Sequence, residues 1–241
     1  MNSIYRSAEG RCACHSFYDR CLAEIPRTTE STYVDTRFGQ THVLVLGPEG
    51  APPLVMLHGI HAFAPDILAA HHDLADSFRI YAIDVVGQPG RSAEVRPPKF
   101  NSSYSDWLVD VLDGLGIDQA PIMGASYGGY IILQLMKYAP QRISRAALIV
   151  PVCVAPFRYR RMVRRVVLPS LAYQARPSKR VLGRVTRSMF APGEESDPRI
   201  AELLANAFSH IKQDPIPPPM ARKAELANYH APTLVLGAEH E

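Results

Sequence analysis

The chain has 241 residues, enough for one large α/β domain that buries a substantial core and carries an inserted subdomain. Its 47% hydrophobic and 20% charged residues are the fractions of a soluble globular protein, and the formal net charge is a mild +3. The longest apolar runs, such as residues 146–155, are too short to cross a bilayer, and the first twenty residues show charges but no apolar core of a signal peptide, so a cytoplasmic location is expected.

The first expected element is an amphipathic helix over residues 7–23, with Phe17, Tyr18, Cys21 and Leu22 turned toward the body. Cys12, Cys14 and His15, followed by Cys21, lack the paired spacing of a zinc site, and with Cys153 they are expected as reduced thiols. After the break at Ile25-Pro26-Arg27, strands are expected over 31–37 and 41–47, joined by a turn at Phe38-Gly39. Pro53-Leu54-Val55-Met56-Leu57 is a continuous apolar run, the pattern of a strand buried on both faces of a parallel sheet. It ends in His58-Gly59-Ile60-His61. A helix over about 65–75 and a strand over 78–85 complete a βαβ unit, closed by the Gly/Pro-rich loop from Asp84 to Ser92. Ser103 and Asp106 suggest a capping box for the next helix, with Trp107, Leu108, Val111, Leu112 and Leu115 at helical spacing and Gly114 and Gly116 at its end.

Residues 121–130 organise the rest. An apolar run climbs into Gly124-Ala125-Ser126-Tyr127-Gly128, which fits G-x-S-x-G, and a helical pattern runs from there to Ala139, stopped by Pro140. Strand, sharp turn and helix put Ser126 at the apex of a strained turn that admits only small residues at Gly124 and Gly128, and Gly129 allows close packing of the helix on the sheet. A strand over 145–152 follows. Alternating strands and helices predict a mainly parallel sheet with helices on both faces, whose ligand site lies beyond the strands' C-terminal ends. His58, Asp84 and Ser126 all fall there. Residues 151–220 break the alternation and read as an inserted helical cap, closed by the stiff Asp214-to-Pro219 connector before a return strand over 231–237. The expected division is an N-terminal helix (1–30), a core (31–152), a cap (153–220) and a return strand with acid loop (221–241).

These features resemble the α/β-hydrolase superfamily, in particular its capped carboxylesterase-like branch. His58-Gly59 after the third strand, the Asp84-to-Ser92 loop with one extra residue, the Ser126 elbow and residues 232–241 recur in the family's order. The resemblance implies a serine hydrolase acting on small carboxylic esters through an acyl-enzyme on Ser126, without a cofactor or metal. It implies oxyanion donors at the backbone N–H groups of Ile60 and Tyr127, and a triad acid at Glu241, with Glu239 the second choice. His58, Asp84 and Ser92 are then loop architecture, and His61 stands near the mouth. Among cap residues, Phe157, Tyr159, Met162 and Tyr173 are expected to line an apolar pocket. The triad's chain order is Ser, carboxylate, His, and no histidine follows Glu241, so the parent protein is expected to continue past that residue and the sheet as given to lack its last strand and helix. The alternatives are a proline-type aminopeptidase, a lactonase, or a binding protein that uses the fold without turnover.

The cap is strongly basic. Residues 155–193 hold ten arginines and lysines and no acidic residue. A solvated helical face is expected, with weak attraction to an anionic surface as the functional alternative; interleaved aromatics are too sparse for nucleic acid. An unpaired sheet edge is expected to favour self-association.

Overall fold

The computed structural model describes residues 3–154, 163–187, 190, 193–194, 197–214 and 216–237. Seven strands form one sheet: β1 Glu30–Thr36, β2 Gly39–Leu46, β3 Pro53–Leu57, β4 Arg79–Ile83, β5 Ala120–Ala125, β6 Ile143–Ile149 and β7 Thr233–Leu236. Their order across the sheet is β1-β2-β4-β3-β5-β6-β7. β1 pairs antiparallel with β2, and β2 with β4; every later pair is parallel. The architecture is the expected mainly parallel α/β sheet.

The continuous apolar runs pay off in two cores. One face of the sheet presents Val43, Val45, Val55, Leu57 and Ile83 to helices α3 (Ser103–Gly114) and α4 (Tyr127–Tyr138). The other presents Leu44, Leu46, Leu54, Met56, Ile80 and Ala82 to α1 (Ala8–Ala23) and α2 (Ala64–His71). Successive residues on one strand serve opposite layers because side chains alternate across a strand. Trp107 is wholly buried on the first face, and its indole N–H finds the Thr41 hydroxyl at 2.8 Å, so its polar atom is satisfied inside the core.

Several boundaries shift from the expected ones by a few residues, and three of the shifts have a visible local cause. Ser103 is the first residue of α3 and not its cap: Ser102 takes the flanking position, its hydroxyl donating to the Asp106 carboxylate at 2.8 Å, while Asn101 accepts the Ser103 N–H at 3.0 Å. Asn101 thus holds the Ser103 N–H that a capping box would have given to the Asp106 carboxylate, and the Asp106 N–H goes instead to the Ser102 carbonyl at 2.8 Å. α2 stops at His71 and tightens into a 3₁₀ turn, His72–Asp76. β6 ends at Ile149, three residues early, because Val150 turns to φ 42° and carries the chain off the sheet. Pro151 then lies so close to α4 that a Cβ on Gly129 would stand 2.8 Å from the proline Cβ.

Beyond β6 the described residues contain helices α5 (Leu168–Ala175), α6 (Lys179–Arg187) and α7 (Pro198–His210), preceded by a π-helical turn, Val163–Val167. They share a third core with the N-terminal segment: Ile4, Tyr5 and Cys14 pack with Tyr173, Val185, Leu204, Ala207, Phe208 and Ile211. Backbone bonds tie the two segments, Arg6 N–H to His210 carbonyl and Lys212 N–H to Ile4 carbonyl, both 2.8 Å. Arg164, Arg176, Lys179, Arg180, Arg184 and Arg187 are exposed. Among the described residues no helix is long and apolar enough to cross a membrane.

Candidate active site

Ser126 stands at the β5–α4 junction with φ 50° and ψ −107°, a left-handed backbone that side chains larger than glycine's rarely adopt. Neighbouring glycines make that turn possible. A Cβ on Gly124 would meet the Gly128 carbonyl carbon at 2.6 Å, and one on Gly128 would meet the Leu57 carbonyl oxygen at 2.3 Å. Both positions exclude any side chain, as the G-x-S-x-G spacing requires. The turn is fastened by the Ser126 N–H donating to Ile149 carbonyl at 2.9 Å, and the Ser126 carbonyl accepts from Val152 N–H at 3.3 Å.

Tyr127 opens α4. As the first helical residue it has no intrahelical partner for its N–H, and the helix dipole adds to the local positive potential. Its side chain points into the core, where its hydroxyl donates to that of Tyr104 at 2.9 Å. The loop that carries Ile60 abuts the serine: a Cβ on Gly59 would lie 3.6 Å from the Ser126 Cβ. The Ile60 side chain faces solvent, 45% exposed.

His58 is fully committed. Its Nδ1–H donates to the Gly59 carbonyl at 2.8 Å and its Nε2 accepts from Val85 N–H at 2.9 Å; burial holds its pKa below the usual imidazole value. An imidazole with both nitrogens engaged shapes a loop and has no site left for a substrate proton. His61 adopts φ 63° and its N–H donates to the Gln88 side-chain oxygen at 3.0 Å. Burial, assisted by Arg96, pushes its pKa to about 4, so the ring is neutral at physiological pH.

Asp84 is the anchor of its loop. Its carboxylate accepts from His42 Nδ1 at 2.8 Å, Ala64 N–H at 2.8 Å and Arg91 N–H at 3.1 Å, and its carbonyl accepts the Ser92 hydroxyl at 2.6 Å. Ser92 in turn accepts the His42 N–H at 2.9 Å. Burial opposes the charge on Asp84, yet His42, the nearby His58 and the Ala64 amide hold its pKa below the usual carboxylate range. The extra residue of the loop is accommodated by Gly87 at φ 70° and Gly90 at φ 135°, the latter so near Asp84 that a Cβ would touch its carboxyl at 2.8 Å.

Ser126 and Tyr127 follow β5, and Gly59, Ile60 and His61 follow β3, so the two turns leave the C-terminal ends of neighbouring strands with Gly59 against Ser126. Among the described residues no side chain is hydrogen-bonded to the Ser126 hydroxyl. Glu241, Glu239, Phe157, Tyr159 and Met162 lie outside the described residues. Tyr173 is not at this site: it is buried in the third core against Phe208. Sequence reasoning missed His42 and Gln88. His42 had one signal, a polar residue sharing its strand face with Leu44 and Leu46.

The sequence model of the α/β hydrolase fold family matches residues 52–235. The chain belongs to the α/β-hydrolase fold family. Two Bacillus subtilis proteins, the uncharacterised carboxylesterase nap and the carboxylesterase YbfK, are each 34% identical to it, over 150 and 151 residues respectively. Those matches cover 62% and 61% of this chain and 50% of each relative, so the chain spans about half the length of the curated relatives it matches. The solved structure of the B. subtilis naproxen esterase, carboxylesterase NP, superposes with a TM-score of 0.80 at 25% identity, covering 95% of this chain and 81% of that one. As an α/β hydrolase the chain has its elbow, its β3 loop and its Asp84 loop in the places where this fold gathers a ligand.

Proposed function

We propose that this protein is a carboxylesterase acting on small-molecule esters, with Ser126 as the nucleophile. The observation that carries the reading is the backbone of Ser126, held at positive φ by glycine contacts that leave its hydroxyl at the strand ends beside the Gly59-Ile60 loop. Similarity to carboxylesterases supports the substrate class.

In this reading the Ser126 Oγ attacks the ester carbonyl carbon while its proton passes to a histidine base. The carbonyl oxygen, now negative, takes hydrogen bonds from the Tyr127 and Ile60 N–H groups, which are fixed before reaction and therefore need no reorganisation. Collapse expels the alcohol, which collects the proton from the base; water then releases the acid by the reverse sequence. Glu241 orients the base, in the chain order Ser, carboxylate, His. Neutral His61 lines the mouth, and Phe157, Tyr159 and Met162 supply apolar pocket surface. The chemistry uses no cofactor.

The test is p-nitrophenyl butyrate hydrolysis by the full-length protein and its Ser126→Ala variant. The variant is expected to lose about 10³-fold or more in kcat with its fold intact by circular dichroism. Equal turnover by the two would remove Ser126 from the chemistry.

A further inference from the structure

A second serine on this chain meets an imidazole. Ser31, on β1, places its Oγ 2.7 Å from Nε2 of His42, and Nδ1 of the same ring lies 2.8 Å from the Asp84 carboxylate. The three residues come from β1, β2 and the end of β4. Ser31 stands four strand positions from β5, about 19 Å across the sheet from the elbow.

The hydrogen-bond directions follow from charge. Asp84 is ionised and only accepts, so it fixes the imidazole proton on Nδ1. Nε2 then carries a lone pair, and the Ser31 hydroxyl must be the donor to it. His42 and Asp84 are wholly buried, whereas Ser31 is exposed, so solvent meets this relay at the hydroxyl.

A purely structural role accounts for half of the arrangement. The Tyr18 hydroxyl approaches His42 Nδ1 at 3.3 Å beside the Asp84 carboxylate, which fastens α1 to the sheet. That role uses Nδ1 and the carboxylate. It leaves the basic nitrogen aimed outward at a hydroxyl, which is the requirement for activating a nucleophile.

Two further features bear on the substrate. Among the described residues β1 is an edge of the sheet, so N–H groups on its outer side have no strand partner there and can face a developing oxyanion. Tyr33, on the same face, is 50% exposed and its ring centroid lies 4.9 Å from that of His42. It offers an aromatic leaving group a surface to stack on.

We propose that Ser31, His42 and Asp84 form a second activated serine, which accepts an acyl group from aryl esters. Ser31 Oγ forms a bond to the carbonyl carbon as its proton moves to Nε2. The carbon–oxygen bond to the aryl group then breaks, and the departing aryloxide takes the proton from Nε2. Acyl-Ser31 and a phenol result, with His42 returned to its starting form.

The experiment uses the full chain carrying Ser126→Ala, so that the elbow serine is silent and failure here leaves the elbow reading untouched. The protein is incubated with p-nitrophenyl acetate and the adducts are located by peptide mass spectrometry. Ser31 is expected to acetylate about a hundredfold faster than exposed Ser77, the size of a general-base contribution. Because His42 is buried and its replacement can unfold the chain, the base is tested by Ser31→Cys. At about pH 6 the introduced thiol is expected to react with iodoacetamide about tenfold faster than exposed Cys12, since an adjacent imidazole raises its thiolate fraction. Acetylation of Ser31 at the rate of Ser77, or an introduced thiol no faster than Cys12, overturns the proposal.

Discussion

At Ser126 the conformation required of the residue and the conformation preferred by its side chain disagree. A non-glycine residue held at φ 50° and ψ −107° carries strain of about 1–3 kcal/mol, which the surrounding β5–α4 packing must overcome. Removing the hydroxyl alone leaves the strain; removing the Cβ relieves it. Ser126→Gly is therefore expected to be more stable than Ser126→Ala by about 1 kcal/mol in urea unfolding, although glycine costs more backbone entropy on folding. Equal midpoints for the two variants would mean that the backbone here is unstrained. The elbow was legible in the sequence because its requirement is steric and local: only glycine fits at 124 and 128, and the spacing announces it. The His42–Asp84 contact was not, because it joins residues 42 positions apart whose meeting depends on β2 pairing with β4. The sequence does mark Asp84 as the start of a loop, and it says nothing of which imidazole will find it.

At the scale of one element, α2 shows how burial and capping compete for a single charge. Asp66 accepts the Phe63 N–H at 3.0 Å, an interaction at the helix start that favours its ionised form. Burial opposes this and wins, raising its pKa to about 7, with the Phe63 amide and Arg199 only partly offsetting it. Unfolded aspartate titrates near 4, so between about pH 4 and 7 the native state holds a proton that the unfolded state has released. Stability contributed by neutral Asp66 is thus full below about pH 4 and lost as pH rises through about 7. Asp66→Asn keeps an acceptor for the amide and removes the titration. It is expected to unfold at higher denaturant than the parent at pH 8, by on the order of 2 kcal/mol, and to match it at pH 4. A variant less stable than the parent at pH 8 would show that the charged cap outweighs desolvation. None of this is readable from the run Ala64-Pro65-Asp66-Ile67, where an acidic residue in a first turn looks like ordinary helix-start chemistry. The cost arises from tertiary packing around the helix start, which brings Arg199, Asp84 and Asp197 near it from distant parts of the chain.

For the whole molecule, the alternation of apolar runs announced the sheet because each strand must serve two cores at once. Pro53–Leu57 emerges with the expected bounds for that reason, buried from both sides between β4 and β5. The same logic fails at the other end of the order. Residues 231–237 read as a buried strand, yet Leu234, Val235 and Leu236 of β7 are 56%, 52% and 48% exposed. β7 forms an edge of the sheet with β6 as its one neighbour, so its sequence is that of an interior strand and its position in the described fold is not. An apolar edge with unpaired N–H and C=O groups is a template for another strand. The 241-residue chain is expected to show an apparent mass that rises with concentration in sedimentation velocity. Val235→Lys places a charge on that edge, where pairing with a second apolar strand would bury it, and is expected to return the chain to a concentration-independent monomer. β1, the opposite edge, provides the internal control: its exposed positions include Glu30 and Asp35, charges that already disfavour pairing. Lysine at its exposed Tyr33 should leave any association unchanged. Association that survives Val235→Lys and responds to Tyr33→Lys would move the contact to the β1 edge, and a parent chain that is monomeric at every concentration would mean that exposed β7 does not recruit a partner strand.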